Sequence, residues 1–166
     1  MVNRSKSPEL LGVNFAEWQL RQRLAGAYRI LDHLGWTETI YGHITLRVSG
    51  SDTHFLINPY GLRYDEVRAS NLIKIDLDGN VIGKSNYPVN RAGFVIHSAI
   101  HGAREDAHCV LHTHTVAGMA VAAQRDGLLP ISMPATGFHG RIAYHDYEGP
   151  SLDLDERERL ITNLGI

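Results

Sequence analysis

At 166 residues, the chain is long enough for one domain with a hydrophobic core. Hydrophobic residues make up 43% and charged residues 20%, and the formal net charge is −2, so bulk charge gives no reason to expect a nucleic-acid or membrane partner. The sequence has one cysteine, no apolar stretch that could span a bilayer and no apolar signal core in its first eight residues, so we expect a cytoplasmic protein. Histidine is unusually frequent, with 10 copies, which raises the expectation of a metal or acid–base site.

The chain is predicted to begin with a flexible leader over residues 1–13, followed by an amphipathic helix. Asn14 is a good N-cap, Glu17 stands three residues later as in a capping box, and Gly35 is a natural stop. Between them, leucine and tyrosine recur at helical spacing and form an apolar stripe. We place a single domain over residues 14–166.

Strand periodicity replaces helical periodicity in the middle of the chain. Apolar and polar residues alternate over residues 44–48, and further strands are predicted at 55–58 and 72–75. Asp78-Gly79 predicts a tight turn into a hairpin strand at 81–82.

The second half of the chain mixes helices with strands. The predicted elements are a helix at 90–104, a strand at 108–114, a helix at 116–125, short strands at 128–131 and 142–144, and a helix at 153–164. Consecutive strands with helices around them favour an α/β sandwich with a mixed, mostly antiparallel sheet over a doubly wound parallel sheet.

The motif His112-Thr113-His114 is the most informative feature of the sequence. It ends an apolar run that is typical of a buried strand, and residues two apart on a strand point to the same face. The two imidazoles can therefore converge on one point, and imidazole is a good ligand for zinc, iron, copper or nickel. The alternative is a pair of strand histidines bonded to backbone or water.

A catalytic zinc usually takes three protein ligands, so the pair needs a partner. The candidates are His97, His139 and His145, of which His97 could reach the pair if its helix packs on the strand. His101 lies four residues after His97 on the same predicted helix and is better explained by packing. His139 and His145 lie in predicted loops, where a solvated side chain is the simpler interpretation.

Several segments in chain order resemble the class II aldolase/adducin family, and the adducin-head-like branch in particular. They are Tyr41-Gly42-His43-Ile44-Thr45, Ile57-Asn58-Pro59-Tyr60-Gly61, residues 89–100, the His112-Thr113-His114 motif, residues 128–132 and residues 143–147. The resemblance implies a three-layer α/β/α fold with a central, mostly antiparallel sheet, and commonly a homotetramer. It also implies a divalent metal held by His112 and His114, zinc foremost, with manganese and iron as alternatives.

The resemblance implies metal-dependent aldehyde-lyase chemistry, the retro-aldol cleavage of a small hydroxy-carbonyl compound. In sugar-phosphate members the metal polarises the substrate carbonyl and a glutamate moves the proton of the enediolate. That glutamate belongs four residues before His97, where this chain has Gly93, which cannot exchange a proton. No catalytic residue is therefore assigned.

Gly42, Asn58 and Gly61 are the candidates for shaping a substrate pocket, because backbone amides in such turns can bind anions. In the family a third metal-binding histidine lies on a later strand in an Asn-His-Gly context, which the sequence does not reach. We therefore expect the domain to lack its C-terminal part and the resulting open sheet edge to be masked by an oligomer or strand exchange.

Two other functions stay open. The first is a non-catalytic assembly module like the adducin head, which the Gly93 substitution favours. The second is a non-haem iron oxygenase on the same fold, since iron of that kind does not need the aldolase glutamate. The metal content separates them: zinc or manganese favours a lyase, iron an oxygenase, and no metal an assembly module.

Overall fold

The structure is a computed structural model, and it describes residues 8–50, 53–149 and 153–165. Its elements are α1 (Pro8–Leu11), α2 (Phe15–His33), β1 (His43–Arg47), β2 (His54–Ile57), a 3₁₀ turn (Tyr64–Glu66), β3 (Ile73–Asp76), α3 (Arg91–Ala103), β4 (Cys109–His112), α4 (Val116–Ala122), α5 (Met133–Thr136) and α6 (Glu156–Leu164). No helix in these three ranges is both long and apolar enough to cross a membrane.

The four strands form one sheet in the order β3-β2-β1-β4, and every neighbouring pair is antiparallel. In the β1–β4 pair, His43 lies opposite His112 and Thr45 opposite Val110. The predicted α/β class with a mostly antiparallel sheet is confirmed. The register of β1 and β4 also brings one histidine of each strand side by side.

The two faces of the sheet differ in chemistry because side chains alternate along β1. Ile44 faces α2 and joins a core of apolar side chains around Tyr28 and Leu56. Thr45 points to the opposite face, where α3 packs and where its hydroxyl meets two histidines. The α2 face therefore carries one apolar core, and the α3 face carries the polar residues of the candidate site beside a second apolar cluster of Phe55, Ile57, Ile73 and Ile75.

Helix α2 forms where its sequence signals predict it. Asn14 Oδ1 accepts the N–H of Glu17 at 2.8 Å, as an N-cap should, and Gly35 beyond the helix has φ of +69°. The Glu17 carboxylate, however, does not complete a capping box. It instead accepts hydrogen bonds from Arg21 Nε at 2.9 Å and Lys74 Nζ at 2.7 Å. Burial of this carboxylate among two cations explains the difference.

Some predicted strands are absent from the described residues. Residues 128–131 and 142–144 make no ladder, and their one recorded link is a hydrogen bond from the Leu128 N–H to the Tyr144 hydroxyl. Residues 81–82 contribute only a single bridge, between Ile75 and Val81. Beyond that bridge, these apolar runs do not pair with an edge strand of the sheet, so they remain loops. The predicted leader lies partly outside the described residues, and its described part contains α1.

Candidate metal centre

The rings of His112 and His114 converge. Strand β4 ends at His112, so the predicted strand to residue 114 is too long, and Thr113 and His114 lie just beyond it. The two Nε2 atoms nevertheless lie 3.0 Å apart, with the ring centroids separated by 4.6 Å. Two nitrogens on one tetrahedral zinc are roughly 3.3 Å apart for Zn–N bonds of about 2.0–2.1 Å. The pair fits a shared ion after a shift of a few tenths of an ångström.

A carboxylate contacts the far side of the pair. Glu38, in the loop between α2 and β1, places Oε2 within hydrogen-bond reach of Nδ1 of His114. A carboxylate accepts only, so this contact places the proton of a neutral His114 on Nδ1. The lone pair of His114 is then on Nε2, which accepts a hydrogen bond from the Nε2–H of His112 at 3.0 Å.

A third imidazole, that of His43, lies beside the pair. Its ring contacts that of His112 in an edge-on arrangement with centroids 5.0 Å apart. Gly42 makes this approach feasible, since a Cβ at residue 42 would lie 3.0 Å from the carbonyl oxygen of His112 and the backbone there has φ of +80°. The side chain of His43 is buried, and neither of its ring nitrogens has a hydrogen-bond partner among the described residues.

Behind His43, a directional chain of hydrogen bonds joins two further histidines. The carbonyl of Ala107 accepts from Nδ1 of His101 at 2.9 Å, so Nε2 of a neutral His101 must be an acceptor. The Thr45 hydroxyl lies 2.8 Å from that Nε2 and donates to it. Having used its only proton, Thr45 Oγ1 accepts from Nδ1 of His97 at 2.7 Å. The chain therefore leaves a lone pair on Nε2 of His97.

Burial keeps these imidazoles neutral. Desolvation, with the neighbouring His112, lowers the pKa of His43 to about 3, and desolvation lowers the pKa of His101 to about 4. The pKa of His97 is lowered as well, first by burial and then by His43. Burial followed by the charge of His114 lowers the pKa of His112. Neutral imidazole is the form that can coordinate a metal or accept a proton.

Four buried ring nitrogens of this cluster lack a hydrogen-bond partner within the described part of the chain. They are both nitrogens of His43, Nε2 of His97 and Nδ1 of His112. An unpaired buried polar atom costs about 1–3 kcal/mol, and each one calls for an explanation such as a bound ion, water or ligand. Their concentration next to the His112/His114 pair makes this corner of the sheet the candidate binding site.

Of the three predicted third ligands, His97 adjoins the cluster through its ring contact with His43, and its Nε2 has no hydrogen-bond partner in the described residues. Nδ1 of His97 is committed to Thr45, and His145 contacts Asn163, Glu148 and Glu156. His139 is exposed in a loop. Within residues 8–50, 53–149 and 153–165, no three histidine, cysteine, aspartate or glutamate side chains are arranged to hold a metal ion together. The described residues thus bring together two imidazoles that can coordinate an ion, without a complete ligand set.

The three predicted pocket residues have different surroundings. Gly42 is buried against His112 and the hydroxyl of Tyr64, whereas Gly61 lies exposed in a turn with φ of +92°. Asn58 is buried in the core, where Oδ1 lies 2.9 Å from the Tyr28 hydroxyl. Only Gly42 is thus placed beside the histidine cluster, and a substrate role for the three residues stays a prediction.

The sequence prediction omitted Glu38, His43 and Thr45 from the site. For two of them a signal existed: the alternation that turns Ile44 toward the core also turns residues 43 and 45 to the face of the predicted histidine helix. Glu38 gave none, because it lies in a loop 76 residues before His114.

Known proteins are similar to this chain in fold and in sequence. The sequence pattern of the family described as Class II Aldolase and Adducin N-terminal domain matches residues 22–165. An aldolase II superfamily protein from Pseudomonas syringae superposes with a TM-score of 0.89 at 55% identity, covering 93% of this chain and 62% of that one. The fold prediction is thereby confirmed at the level of the superfamily.

Two further relatives carry different names, one that of an aldolase and the other that of an adducin. L-fuculose 1-phosphate aldolase from Glaciozyma antarctica PI12 superposes with a TM-score of 0.77 at 32% identity, covering 90% of this chain and 58% of that one. Alpha-adducin of Rattus norvegicus is 47% identical over 99% of this chain, which corresponds to 22% of the adducin. The chain therefore spans less than two thirds of the length of each of these relatives.

Proposed function

Because this chain belongs to the class II aldolase and adducin family, we propose that it binds a divalent metal ion, zinc foremost, through His112 and His114. The observation that carries the proposal is the 3.0 Å separation of the two Nε2 atoms. The neighbouring unpaired ring nitrogens support it, since a binding site explains their cost.

We further propose that the metal serves a lyase reaction, the retro-aldol cleavage of a small hydroxy-carbonyl compound. A bound divalent ion would supply a Lewis acid for the substrate carbonyl. Position 93 offers no acid or base, because it is glycine. We assign the proton transfer to His43, whose imidazole fills the space beside Gly93 and contacts the ring of His112. The aldolase relative at 32% identity supports this class of reaction.

The second candidate function is a non-catalytic assembly module. The space next to Gly93 is filled by the ring of His43, so the chain has lost room for an acidic side chain at that position. The 47% identity with rat alpha-adducin agrees with such a role. We propose, for either function, a homo-oligomer in the cytoplasm, tetrameric by the resemblance described above.

Metal content tests the proposal. The purified protein and its His112→Ala/His114→Ala variant are analysed for bound metal and then titrated with zinc. We expect stoichiometric zinc or manganese in the parent protein and none in the double variant. The matched control replaces two exposed histidines outside the cluster, His33 and His108, by alanine and should keep the metal.

Each outcome of that experiment has a defined meaning. Retention of metal by the His112→Ala/His114→Ala variant would contradict the site. Iron in place of zinc would overturn the lyase and favour an oxygenase. A parent protein that binds no metal even in excess zinc would leave the assembly module as the function.

A further inference from the structure

We propose that Glu38 is a positioning residue for this metal site: its carboxylate holds the proton of His114 on Nδ1 and so directs the Nε2 lone pair toward the ion. The inference rests on the proposed function, since it concerns the same two histidines. The inference adds Glu38 to the site, a loop residue that no pattern in the sequence linked to the two histidines.

The contact itself gives the direction of the effect. Glu38 Oε2 meets Nδ1 of His114, while Nε2 of the same ring lies 3.0 Å from Nε2 of His112. With the proton held at the carboxylate, the inner nitrogen of a neutral His114 has no tautomer available but the ligating one. Without the carboxylate, the proton could reside on either nitrogen, and one of the two forms would block the metal.

The loop that carries Glu38 is held in a defined conformation. The Tyr41 N–H donates to the carbonyl oxygen of Glu38 at 2.8 Å, and the two residues form an isolated bridge. Between them, Thr39 has φ of +49° and is the one non-glycine residue with positive φ in the described ranges. A β-branched residue rarely adopts this conformation, and such outliers cluster where a site requires them. The turn thus fixes the Glu38 backbone opposite His114.

The two ligands are supported unequally. Nδ1 of His112 is buried and has no hydrogen-bond partner in the described residues, whereas Nδ1 of His114 has the carboxylate. Glu38 consequently acts on one ring only, and His114 is the ligand whose orientation is prepared before the metal arrives. Outer carboxylates of this kind fix the tautomer and raise the basicity of the ligand, and their loss typically lowers metal affinity by about 10–100-fold.

Zinc affinity, measured by competition with a chromophoric chelator, tests the role of Glu38 in the full chain. We expect Glu38→Ala to weaken zinc binding by about 10–100-fold. Glu38→Gln should lose less than Glu38→Ala, because its amide oxygen can still accept the Nδ1 proton without contributing charge. Glu105→Ala, which removes a glutamate exposed beyond the end of α3, controls for the change in net charge and should leave the affinity unchanged. A Glu38→Ala affinity within twofold of the parent would overturn the proposal.

A second readout separates this inference from the proposed function and from a purely structural role. Nitrogen-15 NMR of the metal-free protein reports which ring nitrogen of His114 carries the proton. We expect the Nδ1-protonated form in the parent and in Glu38→Gln, and a mixture of tautomers in Glu38→Ala. The same tautomer distribution in all three proteins would overturn the positioning role, even if the two-histidine site binds zinc. Equal zinc binding by the parent and His112→Ala/His114→Ala would instead remove the proposed function, and with it the role of Glu38 in metal binding, while the tautomer readout would still show whether Glu38 sets the tautomer of His114.

Discussion

The imidazole of His43 occupies the space beside Gly93. A Cβ built on Gly93 would lie 2.4 Å from Cδ2 and 2.7 Å from Nε2 of His43, far inside normal contact. The ring cannot easily move away, because it also contacts the rings of His97 and His112. The imidazole at position 43 can therefore pack here only because position 93 has no side chain.

Replacing Gly93 should test this interdependence. We expect Gly93→Ala to destabilise the protein by about 1–3 kcal/mol through overpacking, despite the better helix propensity of alanine. In a His43→Ala background the sign should reverse, because the space is then vacant. The measurement is the free energy of unfolding in denaturant for all four proteins of the cycle.

Gly102→Ala in the same helix is the control for this cycle. Its Cβ would meet Leu77 at 3.9 Å, an ordinary contact, so we expect a small stabilisation from helix propensity alone. Additive effects of Gly93→Ala and His43→Ala would refute the packing argument.

Removing the Thr45 hydroxyl should cost far more than its size suggests. Thr45→Val leaves Nδ1 of His97 and Nε2 of His101 buried without partners, and we expect a loss of about 2–4 kcal/mol in unfolding free energy. Thr45→Ser keeps the hydroxyl and should lose about 1 kcal/mol for the missing methyl group. Equal stability of the two variants in chemical denaturation would show that the hydrogen-bond chain is not important for the fold.

The buried histidines predict a loss of stability in mild acid. His101 stays neutral in the folded protein until about pH 4, its lowered pKa, whereas the unfolded chain binds a proton below about pH 6.5. Stability from this residue is therefore complete above pH 6.5 and falls by about 1.4 kcal/mol per pH unit as the pH drops toward 4. Denaturant titrations across this range should show a shallower slope for His101→Gln than for the parent, and an unchanged slope would contradict the prediction. The same replacement at the exposed His33 controls for the substitution itself.

The ion cluster between α2 and β3 should be sensitive to charge removal. Glu17 and Arg21 are both about 95% buried, with 5% and 6% of their surfaces exposed, and the Glu17 carboxylate also binds Lys74. Glu17→Gln leaves the buried guanidinium without its counter-ion, and we expect a loss of about 3–5 kcal/mol.

An exposed ion pair provides the comparison for Glu17→Gln. Asp65→Asn removes the surface pair with Arg63 and should cost far less stability than Glu17→Gln, because solvent screens exposed charges. Thermal and denaturant unfolding of both variants measure the contrast, and comparable losses would argue against a special role for burial.

The sequence was sufficient where short-range signals decide the structure. Asn14 and Gly35 delimit α2, and the apolar run before His112 predicts β4. The convergence of His112 and His114 also follows from local spacing, although the strand ends before His114. Short-range patterns failed at residues 128–131 and 142–144, because an apolar run becomes a strand only if another strand offers unpaired backbone groups.

The remainder of the site depends on contacts between distant residues. Thr45 forms hydrogen bonds with His97 and His101, which lie 52 and 56 residues later in the sequence. Glu38 contacts His114, which lies 76 residues later. Such pairs are fixed by strand register and helix placement, which a single sequence does not reveal. His43 was quoted among the family motifs, yet its burial against Gly93 required the packed structure.

The chemical difference between the two sides of the sheet has a consequence for how such a protein can diversify. Substitutions confined to His112 and His114 leave the apolar packing around Tyr28 untouched, so the scaffold can persist while the chemistry of the site is altered. One architecture can then carry different site chemistries.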